Sequence, residues 1–248
     1  MKYVFTIAIT IFLFASVCSG QVDTINATNH SLQISKLKEG TTRYLVYFTD
    51  SLFNLKGSSD IWERTTRFIS KNNSPFVKFD WKWFHHDSLR AYISNVCDAK
   101  TLAPVFHKAV YPGSGIIAYD FRDHYMIPSD TVANNAVIKK QKLSLNIPVL
   151  SWEQDLETYP LLPIKKVGQK FDIAFFDPNE KAPSYHRYEV IGKENLQLNQ
   201  DAQVNCWLLK IDYSNTSYAI FWLTEKSKEV IKMKEYFNGN YRFKVKLY

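Results

Sequence analysis

Glycine and proline are sparse in this chain, at 8 and 9 of 248 residues, and cysteine and methionine number only 3 each. So little glycine and proline excludes collagen-like and low-complexity architectures. Three cysteines, Cys18, Cys97 and Cys206, are too few for a disulfide-stapled mini-domain. No HExxH and no paired CxxC occurs, so the common zinc signatures are missing. No GxSxG occurs either. Ser114 sits in Pro112-Gly113-Ser114-Gly115, a turn whose glycines permit positive φ, with no strand-to-helix elbow after it.

Candidate chemistry is correspondingly thin. His85-His86-Asp87 is the densest set of metal-ligating types, yet adjacent strand residues point to opposite faces, so it reads as a polar hairpin tip. Asp120, Asp123, Asp155 and Glu157 could in principle supply a carboxylate pair for glycan hydrolysis. Asp155 and Glu157 stand two apart on an expected helix and share no face, so they read as solvated surface. The sequence therefore carries no catalytic residue, no metal site and no cofactor motif.

A long apolar run is missing as well, apart from Tyr3 to Val17. With Lys2 before it and Cys18-Ser19-Gly20 after it, residues 1–20 read as a secretory signal too short for an ordinary membrane span. A lipid anchor on Cys18 is the rival reading, with Val17 a poor fit to that motif. Export would leave 228 residues and lower the formal charge from +7 to +6 by removing Lys2. That surplus is small for a nucleic-acid binder, and an anionic membrane surface is the better electrostatic partner. Cys97 and Cys206 read as two buried thiols in preference to a bridge.

What the chain does contain is aromatic residues, at 15%, set in period-two alternation. Residues 21–40 read as a flexible polar leader and residues 41–248 as a single β-rich domain. Strands are expected at Thr41–Thr49, Asp60–Ser70, Phe76–Phe84, Leu89–Val96, Pro104–Tyr111, Gly115–Phe121 and Ala136–Leu145, and again from Phe171 onward. In Asp60–Ser70, Trp62, Arg64, Thr66 and Phe68 share a face; in Phe76–Phe84, so do Val77, Phe79, Trp81 and Trp83. One helix, Trp152–Tyr159, is expected behind the capping pattern of Ser151, with Pro160 and Pro163 to stop it. The fold class is all-β and mainly antiparallel: a sandwich or barrel of about ten or more strands with one short covering helix.

The C-terminal stretch Val204–Leu247 reads as a four-strand meander. For its last hairpin a two-residue Asn238-Gly239 turn would place Met233 opposite Lys244 and mix the faces. A three-residue loop, Asn238 to Asn240, keeps the apolar set together and is the expected register. Trp207, Trp222, Met233, Glu235, Phe243 and Val245 then become candidate ligand-binding residues, with Glu235 either near the sheet edge or the polar contact of a cavity. Lys232, Lys234, Arg242, Lys244 and Lys246 would form a cationic wall on the reverse side, a candidate anion contact.

The order of several short segments resembles an exported bacterial family of unknown function. They are Asp98-Ala99-Lys100-Thr101-Leu102-Ala103-Pro104, Tyr159-Pro160-Leu161-Leu162-Pro163, Gly168-Gln169-Lys170, Val190-Ile191-Gly192-Lys193-Glu194 and Trp222-Leu223-Thr224-Glu225-Lys226. Members look like the unclosed β-barrels of LolA/LolB-type lipoprotein carriers. The resemblance implies a curved, unclosed β-barrel or β-roll whose concave apolar face could hold an acyl chain, and it brings no catalytic residues. The expectation is a non-enzymatic envelope protein, periplasmic or outer-membrane associated, that binds a lipid or amphiphile. The alternatives are a carbohydrate-binding or carbohydrate-active protein using Trp81 and Trp83, and an assembly scaffold that takes up a partner's strand at its sheet edge.

Overall fold

The computed structural model describes residues 21–178 and 180–247; the expected signal segment and Cys18 lie outside them. The strands are β1 (Val22–Ile25), β2 (Gly40–Asp50), β3 (Leu55–Lys71), β4 (Ser74–His85), β5 (Ser88–Asp98), β6 (Pro104–Tyr111), β7 (Gly115–Arg122), β8 (Tyr125–Pro128) and β9 (Leu143–Ser144) in the first half. After β10 (Leu150–Ser151) comes a helical segment, with α1 (Asp155–Thr158) flanked by 3₁₀ turns at Trp152–Gln154 and Tyr159–Leu161. Then follow β11 (Lys170–Ile173), β12 (Phe175–Phe176), β13 (His186–Gln197), β14 (Gln203–Ser214), β15 (Ser217–Thr224), β16 (Val230–Phe237) and β17 (Asn240–Leu247).

Fifteen of these strands form one sheet in the order β1-β11-β13-β14-β15-β16-β17-β2-β3-β4-β5-β6-β7-β8-β9. Neighbours are antiparallel except β1 with β11. The edge strands β1 and β9 do not pair with each other, so the barrel is unclosed, as the resemblance implied. The last strand lies in the middle of the sheet, between β16 and β2, and joins the N-terminal half to the C-terminal half.

The helical segment lies against one face, here called inner. Pro160 falls inside its closing 3₁₀ turn, and Leu162 returns to extended backbone. The segment is shorter and less regular than the two-turn helix expected. Ser151 makes no side-chain cap; its hydroxyl donates instead to Glu153. Tyr159, within the segment, and Tyr188, Phe171, Phe175 and Phe221 on strands are fully buried, with Tyr159 and Phe221 centroids 4.7 Å apart. Each such burial contributes roughly 1.5–3 kcal/mol.

Three expectations are corrected. The polar stretch from residue 21 is no loose leader: Val22–Ile25 pairs with Lys170–Ile173, and Ile25, Ala27 and Leu32 join the core. The apolar residues Ile25 and Leu32 are buried there despite the polar composition around them. Of the strand expected over Ala136–Leu145, only Leu143–Ser144 forms, because Asn135 instead organises a turn by hydrogen bonding Ala118 and Ser129. The third concerns the last hairpin. Phe237 pairs with Asn240 across a two-residue turn, and Met233 faces Lys244. Asn238 and Gly239 both have positive φ, 48° and 77°, the turn whose twist matches that of the strands it joins.

A buried charged cluster on the inner face around Trp62 and Lys244

Residues directly opposite one another across a ladder share a face, and this assigns the inner surface. Phe221 faces Met233, Met233 faces Lys244, Lys244 faces Val46 and Val46 faces Asp60. The adjacent rows are Lys246, Tyr44, Trp62, Trp83 and Ala91, and then Arg64, Trp81 and Ile93. Successive inward positions on β3 and β4 thus bring Trp62, Trp81 and Trp83 together. The Trp62 ring lies 4.6 Å from Trp81 and 6.2 Å from Trp83. Their indole nitrogens are all buried without an acceptor.

Arg64 fixes the helical segment to this wall. It is buried, its Nε donates to Glu157 Oε1 at 2.8 Å, and its Nη2 donates to Glu157 Oε2 at 2.6 Å. The same Nη2 reaches Asp155 Oδ1 at 3.4 Å. Asp155 and Glu157 are therefore not solvated surface; both are largely buried and converge on Arg64. The signal was present in the sequence, as an arginine inside the inward-facing series Trp62, Arg64, Thr66. Hydrogen bonds from Cys97 Sγ to Gln154 Oε1 and from Gln154 to the Leu102 carbonyl attach the segment to β5 and the following turn.

Lys244 is the unusual group. It is 5% exposed, and its ammonium stands 4.3 Å from the Trp62 ring centroid. Burial pulls its pKa down from 10.5 to about 7, against the nearby Asp155 carboxylate, with the charges of Arg242 and Arg64 adding to the depression. Arg242 lies 5.7 Å over the same ring. Its Nε is 2.6 Å from Glu235 Oε2, but that N–H is not aligned on the oxygen and is buried without an acceptor. Arg242 and Glu235 also line a cavity of about 570 Å³ whose other walls include Phe48, Phe237 and Tyr241. Phe48 and Phe237 keep 39% and 58% of their surface open there.

The candidate ligand residues do not form one cluster. Met233, Glu235 and Trp207 are on the inner face, Met233 and Trp207 within the core. Trp222, Phe243 and Val245 point outward, opposite Lys232 and Lys234. The cationic wall is split in the same way: Lys232 and Lys234 lie outside, Arg242, Lys244 and Lys246 inside. The cause is the two-residue turn, which shifts β17 by one residue and reverses every side chain on it. Outside, Lys232 covers Trp222 at 4.7 Å and Lys234 covers Tyr241 at 4.5 Å. These lysines cap aromatic rings, and their charge is spread along the sheet.

At the other candidate positions, His85 Nδ1 lies 2.6 Å from Asp60 Oδ1, and His86 and Asp87 have the positive φ of a hairpin turn. Among the described residues no group of three or more His, Cys, Asp or Glu is placed to share a metal ion. Cys97 and Cys206 are buried, unpaired thiols. No helix among the described residues is long and apolar enough to cross a membrane.

The architecture defines the class: a mostly antiparallel, barrel-like sheet left unclosed, with a short helical segment against its inner face. The chain belongs to the family described as protein of unknown function (DUF3108), whose model matches residues 43–246. That description names no reaction. No curated protein matches the chain. Among solved structures it is similar to a beta-barrel-like protein of domain of unknown function DUF1849 from Brucella abortus. The two share 11% identity at a TM-score of 0.49, over 84% of this chain and 95% of that one.

Proposed function

We propose that this is a non-enzymatic, exported binding protein of the cell envelope that holds an apolar or lipid-like ligand against its inner face. One observation carries the reading: two aromatic rings are left open at a cavity whose wall carries an arginine. Phe48 and Phe237 stand at the mouth of the 570 Å³ cavity, and Arg242 at its wall reaches over Trp62. Binding pockets are typically of this size, mostly apolar, and provided with a few convergent polar groups. The segment order resembles an exported family whose members look like lipoprotein carriers, and this supports the same reading.

The carbohydrate alternative is less favoured, because Trp81 and Trp83 pack toward Trp62 with their indole N–H groups buried. A strand-accepting scaffold is also less favoured: the edge strands β1 and β9 have only 4 and 2 residues. The test is native mass spectrometry with organic extraction of the full chain purified from its own cells, followed by titration with a fluorescent acyl probe. A co-purifying amphiphile, and probe binding lost on Phe48→Asp, are expected. Ligand-free protein that also ignores the probe would refute the reading.

A further inference from the structure

Buried polar groups in proteins almost always have a partner, and those without one call for an explanation. Around Trp62 several such groups occur together, and all of them are donors. Trp62 is 6% exposed, and the indole N–H groups of Trp62, Trp81 and Trp83 and the Nε–H of Arg242 are buried with no acceptor. Lys244, 5% exposed, adds an ammonium with no hydrogen-bonding or ion-pairing partner among the described residues. Its acidic neighbours bond other groups and not Lys244. Asp155 accepts from the Leu156 N–H at 2.7 Å and contacts Arg64 at 3.4 Å, and Glu235 lies against Arg242 at 2.6 Å. Tryptophan, lysine and arginine side chains offer no acceptor in exchange. The cluster therefore holds several buried donors that no acceptor among the described residues bonds.

A structural explanation for this arrangement fails on cost. Lys244 lies between Met233 and Val46 in the ladder, where a methionine or leucine would pack without desolvating a cation. Burying an ammonium is expensive unless it is paired, and its contact with Trp62 offsets only part of that.

We propose that Lys244, with Arg242 and the Trp62 indole N–H, receives the carboxylate head of a single-chain amphiphile whose apolar chain extends toward Phe48 and Phe237. This deepens the binding function proposed above and rests on it. A carboxylate offers acceptor sites only, so it matches these buried donors, and charge-assisted bonds to it are the strong kind. It would also restore the full charge of Lys244, which burial holds down and which Asp155 and Glu235 favour while Arg64 and Arg242 oppose. A neutral lipid could fill the apolar volume but would supply no negative charge.

The experiment is calorimetric titration of the full chain at pH 7 with laurate, methyl laurate and acetate, repeated on Lys244→Met. Laurate is expected to bind at least ~10-fold more tightly than its methyl ester. Lys244→Met should bring laurate down to the affinity of the ester and leave the ester unchanged. Thermal melting checks that the variant folds; should it not, the acid-to-ester ratio on the unaltered chain still decides. Equal binding of acid and ester, insensitive to Lys244, would overturn the head-group assignment and leave the apolar reading intact. No binding of either would overturn both. Acetate binding as tightly as laurate would show a site for a small free anion and overturn the amphiphile. An ordered water accepting from these donors, with no acid preference, would overturn the inference in the same way.

Discussion

Arg64 on β3 and Glu157 in the helical segment meet through two parallel hydrogen bonds of 2.8 and 2.6 Å, 93 residues apart in sequence. A buried pair of this kind adds little net stability, but breaking it leaves an uncompensated charge. Arg64→Ala would strand Glu157 and Asp155 together and is expected to cost about 3–5 kcal/mol. Glu157→Gln, which keeps the shape, should cost less. Chemical denaturation of both variants checks the order; equal losses would mean the pair is not the clamp.

Stability should rise with pH above neutrality. Burial depresses the Lys244 pKa from 10.5 to about 7, so between those values the unfolded chain holds the proton that the folded chain has released. Unfolding free energy then increases with pH, by about 2 kcal/mol between pH 7 and 9 at most. Above pH 9 the buried thiols oppose the trend, since Cys206 is pushed up from 9.0 to about 11 and Cys97 also rises. Lys244→Met should flatten the slope between pH 7 and 9. A slope unchanged in that variant would contradict the burial of this lysine as an unpaired group.

Those thiols give an independent check. Both cysteines are 0% exposed, and thiolate, the reactive form, is disfavoured at each. Neither should react with a thiol reagent at pH 8 in the folded protein, and both should react fully in denaturant. Rapid labelling of the native chain would show that β5 or β14 opens more readily than this packing allows.

The last turn can be tested through Gly239. Its φ of +77° lies in the left-handed region, and a Cβ there would meet open space, so the penalty is purely conformational. Gly239→Ala should cost about 1 kcal/mol, whereas Asn238→Gly should be nearly neutral. Cross-strand nuclear Overhauser contacts between Met233 and Lys244 report the register directly. Contacts between Met233 and Val245 in their place would restore the three-residue loop.

On the outer face, Tyr241 stacks on Phe53 at 5.0 Å and lies 5.1 Å from Tyr236, with Lys234 above it at 4.5 Å. Ring pairs of this kind contribute about 0.5–1.5 kcal/mol each beyond area burial. Tyr241→Ser should therefore lower stability by about 2 kcal/mol, and Tyr241→Phe by much less. Equal tolerance of both would show the ladder to be ornamental.

The sequence by itself determined the all-β character, the meander after Val204 and the place of the helical segment before Pro163. Alternation, turn residues and proline are local signals, and they act within a few residues. It did not determine which face of β17 turns inward. That strand lies between β16 and β2, with Phe243 buried on one side and Lys244 on the other, so the apolar patterning that pointed to the three-residue loop does not decide the register. The Asn238-Gly239 turn decides it, and only the assembled sheet makes burial of a lysine over Trp62 tolerable. The convergence of Arg64 on Asp155 and Glu157 was likewise a tertiary outcome. An arginine in an inward-facing series signals a buried partner, but which acids reach it depends on where a segment far along the chain comes to rest.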